Sequence, residues 1–121
     1  MNILIINPPI RLNDKPRHIP HGLAILANII RKQFKINIHF VDWNAQRFSE
    51  KKFNNIVKEY PCQLALIGGL ISTYKYLVKI SHSIKKHHPL CKVIAGGSAA
   101  MSLPEVLLKN SRVDIICTGE G

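Results

Sequence analysis

Short apolar runs alternate along the chain with longer segments in which apolar residues recur every three or four positions. The runs are Asn2 to Ile6, Ile36 to Val41, Gln63 to Ile67, Lys92 to Ala95 and Val113 to Cys117. Most are continuous in Ile, Leu and Val, as in parallel strands covered on both faces. The second differs: Ile36, Ile38 and Phe40 alternate with Asn37 and His39, which places it at a sheet edge with one face wetter.

Between the runs, Leu23, Leu26, Ala27, Ile30 and Phe34 form one helical stripe; Phe53, Ile56, Val57 and Tyr60 form a second; Tyr74, Leu77, Val78, Ser81 and Ile84 form a third. A short fourth helix is expected to begin at Ser102-Leu103-Pro104-Glu105, where Ser102 and Glu105 have capping-box spacing and Pro104 falls in the first turn. Pro61 and Pro89 close the second and third helices. Strand and helix alternate through five strands, so an α/β fold is predicted, a single doubly wound domain with a parallel sheet and helices on both faces. Right-handed crossovers make the flavodoxin-like (Rossmann-like) order 2-1-3-4-5 the expected one, in agreement with the edge character of the second strand. With no repeat, low-complexity tract or linker, residues 1–121 read as one domain.

Composition sharpens this picture. A chain of 121 residues with 46% hydrophobic content can build one real core but not two ordinary domains. Its apolar stretches are interrupted before the roughly 18 residues a spanning helix needs. The N-terminus lacks the charged region and cleavage site of a signal peptide, and a cytoplasmic location is expected. Cys62, Cys91 and Cys117 are distant in sequence and odd in number, so neither a disulfide framework nor a CxxC metal site is encoded; buried, reduced thiols are expected. Seventeen Lys and Arg against seven Asp and Glu give a net charge of +10, which favours anionic partners. The basic residues are scattered, however. Lys75, Lys79, His82 and Lys86 lie opposite an apolar stripe, as on a solvated helix face, and no nucleic-acid-binding motif accompanies them, so nucleic acid is disfavoured.

In such a sheet, ligands bind beyond the carboxyl ends of the strands, near the point where strand order reverses. The loops there are Asn7-Pro8-Pro9 and the segment to His21-Gly22, then Gly68-Gly69-Leu70-Ile71-Ser72-Thr73-Tyr74, Gly96-Gly97-Ser98-Ala99 and Thr118-Gly119-Glu120-Gly121. Glycine and small hydroxyl residues let a bulky polar ligand approach the backbone, although a glycine pair also serves simply to turn the chain from strand to helix. Neither GxGxxG nor GxxxxGK[ST] occurs, and the acidic residues and lysine of a phosphorelay receiver are missing at the corresponding strand ends. Asp14, Glu105 and Glu120 have no recognisable pairing, and Asp42 after the second strand reads as a polar cap as readily as a catalytic group; no catalytic residue is assigned.

NILIINPP at the start, IPHGLAILANIIRK, VDWN, LIGGLIST, KVIAGGSAA with LPEVLL, and VDIICTGEG, taken in order, resemble the N-terminal cobalamin-binding domain of B12-dependent radical SAM proteins. The resemblance covers nearly the whole chain and implies cobalamin, a cobalt corrinoid, lying over the carboxyl edge with its nucleotide tail between strands. The positions it implies as cofactor-binding are His21 and Gly22; Ser72, Thr73 and Tyr74; Gly96, Gly97 and Ser98; and Thr118, Gly119 and Glu120. The DxHxxG loop that supplies a cobalt-ligating histidine elsewhere is absent, since His18 is followed by His21 where Gly would stand and neither has Asp two residues before it. Either could ligate cobalt as an imidazole, but the preferred reading is a surface or turn histidine and no metal ligand is assigned. No cysteines have CxxxCxxC spacing, so no iron–sulfur cluster is expected in these residues. The expectation is a truncated or free-standing corrinoid module, not catalytic alone, whose radical SAM partner lies in a further C-terminal part or a separate chain. The alternatives are a vestigial α/β interaction domain that has lost cobalamin, or a small-molecule enzyme using the same crevice.

Overall fold

The computed structural model describes residues 1–9 and 21–118. Its strands are β1 (Asn2–Asn7), β2 (Asn37–Asp42), β3 (Leu64–Gly68), β4 (Lys92–Gly96) and β5 (Ile115–Ile116). They form one sheet in the order β2-β1-β3-β4-β5, with every pair parallel, as the apolar runs predict. The helices are α1 (His21–Gln33), α2 (Trp43–Gln46), α3 (Glu50–Glu59), α4 (Tyr74–His87), α5 (Gly97–Ser102) and α6 (Pro104–Asn110); a 3₁₀ turn, Ile71–Thr73, leads into α4.

The period-2 alternation of the strands divides the core in two. Leu4, Ile6, Ala65, Ile67, Val93 and Ala95 point to one face, where Phe53 and Val57 of α3, Leu77, Ile80 and Ile84 of α4, Ala99 and Ala100 of α5, and Leu107 of α6 cover them. Ile3, Ile5 and Leu66 point to the other face, where Ala27 is buried and Leu23, Leu26 and Ile30 of α1 pack alongside. Each fully buried Leu, Ile or Val contributes about 1.5–3 kcal/mol. Edge strand β2 keeps Asn37 and His39 exposed while Ile38 and Phe40 are half-buried, the wetter face its sequence foretells. α1 is the one helix on the second face among the described residues, and Ile115, in register with Ile94, stays 49% exposed.

Three local expectations are corrected. Phe34 lies one residue beyond α1 and is 56% exposed, because the helix ends before the stripe does. The capping box at Ser102 does not form: residues 97–102 are already helical, Leu103 donates its N–H to the Ala99 carbonyl, and Leu103 itself precedes α6 without a side-chain cap. Strand β5 is shorter than the run Val113 to Cys117. The Asp114 carboxylate, not a backbone carbonyl, accepts the Val93 N–H at 2.8 Å, which interrupts the ladder.

Asp114 also pairs with Lys85 at 2.7 Å, the two side chains 28% and 19% exposed. Burial pushes the Asp114 carboxyl upward, but the Lys85 hydrogen bond, the Val93 N–H and the Lys85 and Lys92 charges outweigh it, and the group ionises below its usual range. A carboxyl whose folded pKa lies below its unfolded value, about 3.9, stabilises the fold fully above that value and loses the contribution as pH falls through the folded pKa. Asp114→Asn is therefore expected to cost about 1–2 kcal/mol at pH 7 and little once pH lies below both values, read from urea unfolding at each pH.

Candidate functional site

The carboxyl ends of the strands bring the loops of the proposed crevice to one edge. Order reverses between β1 and β3, at Asn7 and Gly68. Asn7 is buried at 3% exposure and donates from Nδ2 to Asp42 Oδ1 at 3.0 Å. The same Asp42 oxygen accepts the Ala45 N–H at 3.1 Å and caps α2, which realises the polar-cap reading of this residue. These short polar contacts lock the β1 and β2 ends against each other.

On the other side of the reversal, the two glycine pairs meet. A Cβ on Gly97 would lie 2.9 Å from the Gly69 carbonyl oxygen and 3.0 Å from its nitrogen, and Gly97 has φ of 84°, a conformation L side chains rarely adopt. The Ala99 N–H and the Ser98 hydroxyl both reach the Gly69 carbonyl, at 3.1 and 3.5 Å. A Cβ on Gly69 would fall 2.2 Å from Thr73 Oγ1. Glycine is needed at Gly97 so that one strand-to-helix turn can pack on the other, and at Gly69 so that its own turn can close over Thr73, whether or not a ligand is present.

The cofactor-binding positions implied by the resemblance therefore divide. Thr73 is 1% exposed and spends its hydroxyl on the Leu70 carbonyl at 2.7 Å, while Tyr74 packs half-buried against the core. Thr73 and Gly97 hold the edge together from within. Gly22 and Gly96 tolerate a Cβ: one on Gly22 meets nothing within 4 Å among the described residues, and one on Gly96 meets Cys117 Cβ at an ordinary 3.8 Å. Ser72 and Thr118 are exposed, and Ser98 is half-buried. His21 is the first residue of α1; Gly119, Glu120 and His18 lie outside the described residues.

Sequence reading missed the apolar part of this edge. Leu70 and Ile71, ahead of α4, are 45% and 52% exposed. Two large apolar residues side by side in a loop were the available signal. Exposed apolar side chains, free hydroxyls and bare backbone on one edge suit a large, flat ligand with an apolar body and a hydrogen-bonding rim. A corrinoid, the ligand the sequence resemblance implies, has that character; of the positions implied for it, Gly22, Gly96, Ser72 and Thr118 are accessible, while Gly97 and Thr73 are taken up by the fold. A separate cleft of about 240 Å³ lies between α3 and α4, lined by Trp43, Phe53, Lys79, His82 and Lys86 and by no residue of the glycine loops. Among the described residues no three His, Cys, Asp or Glu side chains are grouped to hold a metal ion, and no helix is long and apolar enough to cross a membrane.

No protein-family model matches the sequence. No curated protein matches it either. Among solved structures, the fold is similar to part of TsrM from Kitasatospora setae, a radical S-adenosylmethionine methyltransferase. One TsrM structure, with a tryptophan substrate and a SAM analogue bound, aligns with a TM-score of 0.69 at 17% identity over 89% of this chain. Another, with cobalamin and a [4Fe-4S] cluster bound, aligns with a TM-score of 0.70 at 16% identity over the same share. The chain spans about a fifth of that protein's length, 21% and 20% in the two comparisons, and at such identity what the two share is the fold.

Proposed function

We propose that residues 1–121 are a corrinoid-binding module that presents cobalamin to a radical SAM catalytic domain, located in a further part of a longer protein or in a separate chain. The module is not catalytic alone. Cobalamin, once bound, would supply the cobalt-centred chemistry of methyl transfer or a related radical reaction. The observation that carries this reading is the shared arrangement of strands and helices with part of a chain solved with cobalamin bound, over 89% of the present chain. The open backbone at Gly22 and Gly96 and the exposed Ser72 and Thr118 support it by leaving room and hydrogen-bonding groups on the edge where such sheets bind ligands. Ser98 and Tyr74 would line the same loops, with His21, Gly119 and Glu120 completing the set.

Anaerobic titration with hydroxocobalamin and methylcobalamin, followed by desalting and absorption spectroscopy, tests the proposal. Retained corrinoid with a base-off spectrum is the expected result. Gly96→Leu should abolish retention while leaving the circular dichroism spectrum unchanged, because a Cβ there meets only Cys117 Cβ, at an ordinary 3.8 Å; Gly97 is unsuited to the purpose, since the fold itself needs its missing Cβ. Absence of retention at micromolar protein would overturn the reading. It would favour a vestigial interaction domain, for which the net charge of +10 speaks and which predicts salt-sensitive association with an acidic partner.

A further inference from the structure

Cys62 and Cys91 stand 29 positions apart, yet their Sγ atoms are 3.4 Å from each other. Cys62 comes just before β3 and Cys91 just before β4. These strands are hydrogen-bonded neighbours in parallel register, so the two thiols converge at the amino edge of the sheet, opposite the glycine loops. Both are free thiols, 5% and 1% exposed. They lie beneath a thin cover: Pro61 and Gln63 are exposed, and Leu90, preceding Cys91, is 93% exposed.

The pair is chemically unequal. The hydrogen bond from Cys62 holds the Cys91 thiol below its ordinary pKa against the opposing effect of burial, and the Lys85 ammonium helps while Asp114 opposes. The same hydrogen bond, with burial, pushes Cys62 up. Lys85 is fixed in place by donating to the Cys91 carbonyl at 2.6 Å and to Asp114. Two thiols that merely filled core volume would need neither a shared hydrogen bond nor a cation tethered beside one of them.

We propose that Cys62 and Cys91 form a reversible dithiol–disulfide site, oxidised by peroxide, that staples β3 to β4. The Cys91 thiolate attacks one peroxide oxygen; the O–O bond breaks, the departing hydroxide takes a proton to become water, and Cys91 becomes a sulfenic acid. The Cys62 sulfur then attacks the Cys91 sulfur, the S–O bond breaks, and the hydroxide leaves as water with the Cys62 proton. In sum, two thiols and one hydrogen peroxide give one disulfide and two waters. Sulfur atoms in a disulfide are about 2.05 Å apart, so closure requires each side chain to move by well under 1 Å. The bridge would enclose β3, the Gly68-Gly69 loop and α4 in one covalent loop.

The test uses the reduced 121-residue chain under native conditions, treated with a few equivalents of hydrogen peroxide, then alkylated, digested and mapped by mass spectrometry. The expected result is a linked Cys62–Cys91 peptide, with Cys117 still alkylated, reversal by dithiothreitol, and a Tm raised by roughly 5–15 °C in the oxidised form. Cys91→Ser and Cys91→Ala should each lose both the linked peptide and the Tm shift. Recovery of both thiols in the treated wild type, or an oxyacid at Cys91 without cross-linking, would overturn the proposal. The outcome does not depend on what the glycine-lined edge binds.

Discussion

Gly97→Ala is expected to lower the unfolding free energy by about 2–4 kcal/mol, whereas Gly96→Ala, one residue earlier, should change it by less than about 1 kcal/mol. The two glycines are alike in sequence and opposite in environment. At Gly97, φ of 84° puts any Cβ in a conformation that costs an L residue about 1–2 kcal/mol, and the new atom would press on Gly69 backbone that has no side chain to swing away. At Gly96 the backbone is extended, with φ of −135°, and the added methyl meets Cys117 at van der Waals distance. Urea denaturation of both variants measures the difference. Equal effects would mean that the crossing of the two glycine loops does not hold this edge together. The pair also separates fold from binding at the candidate site, since the Gly96 variants keep the fold while testing the crevice.

Trp43→Ala should be the most damaging single truncation, with a loss of about 3–5 kcal/mol. Trp43 is 3% exposed and stacks on Phe53 at 4.5 Å between centroids and on Phe48 at 5.5 Å, with Tyr76 meeting it edge-on at 5.3 Å. Its indole Nε1 donates to the Phe48 carbonyl at 2.8 Å, which ties the turn after α2 to the core. Trp43→Phe keeps most of the apolar contact but strands that carbonyl, and about 1–2 kcal/mol is expected. A domain of this size has about 5–15 kcal/mol in total, so the alanine variant should show a urea midpoint lowered by roughly 2–3 M, or be substantially unfolded in its absence. A shift below about 1 M would mean that the aromatic cluster is not packed as described.

Trp43 illustrates what the sequence concealed. It follows Asp42 in a stretch with no helical period, because α2 is only four residues long, and its stacking partners come from the following loop, α3 and α4. By contrast, the edge position of β2 was legible from three alternating residues, Ile36, Ile38 and Phe40, since a strand with one wet face must carry polar side chains at every second position. The candidate edge was legible in location and only partly in roles. Gly22 and Gly96 are open as a ligand-facing position requires, while Thr73 and Gly97, which look the same in sequence, are consumed by contacts to Leu70 and Gly69.

Sequence by itself determined the order of the five strands and of helices α1, α3, α4 and α6 and, through the handedness of crossovers, the 2-1-3-4-5 sheet, because periodicity and chain chirality are local properties. Only the tertiary structure decided which distant residues meet: Gly69 with Gly97, Asn7 with Asp42, Lys85 with Asp114, and the Cys62 and Cys91 thiols at 3.4 Å. Those meetings follow from strand adjacency and register, in which residues some thirty positions apart become neighbours about 4.8 Å across the sheet, and no local pattern in the chain encodes that separation.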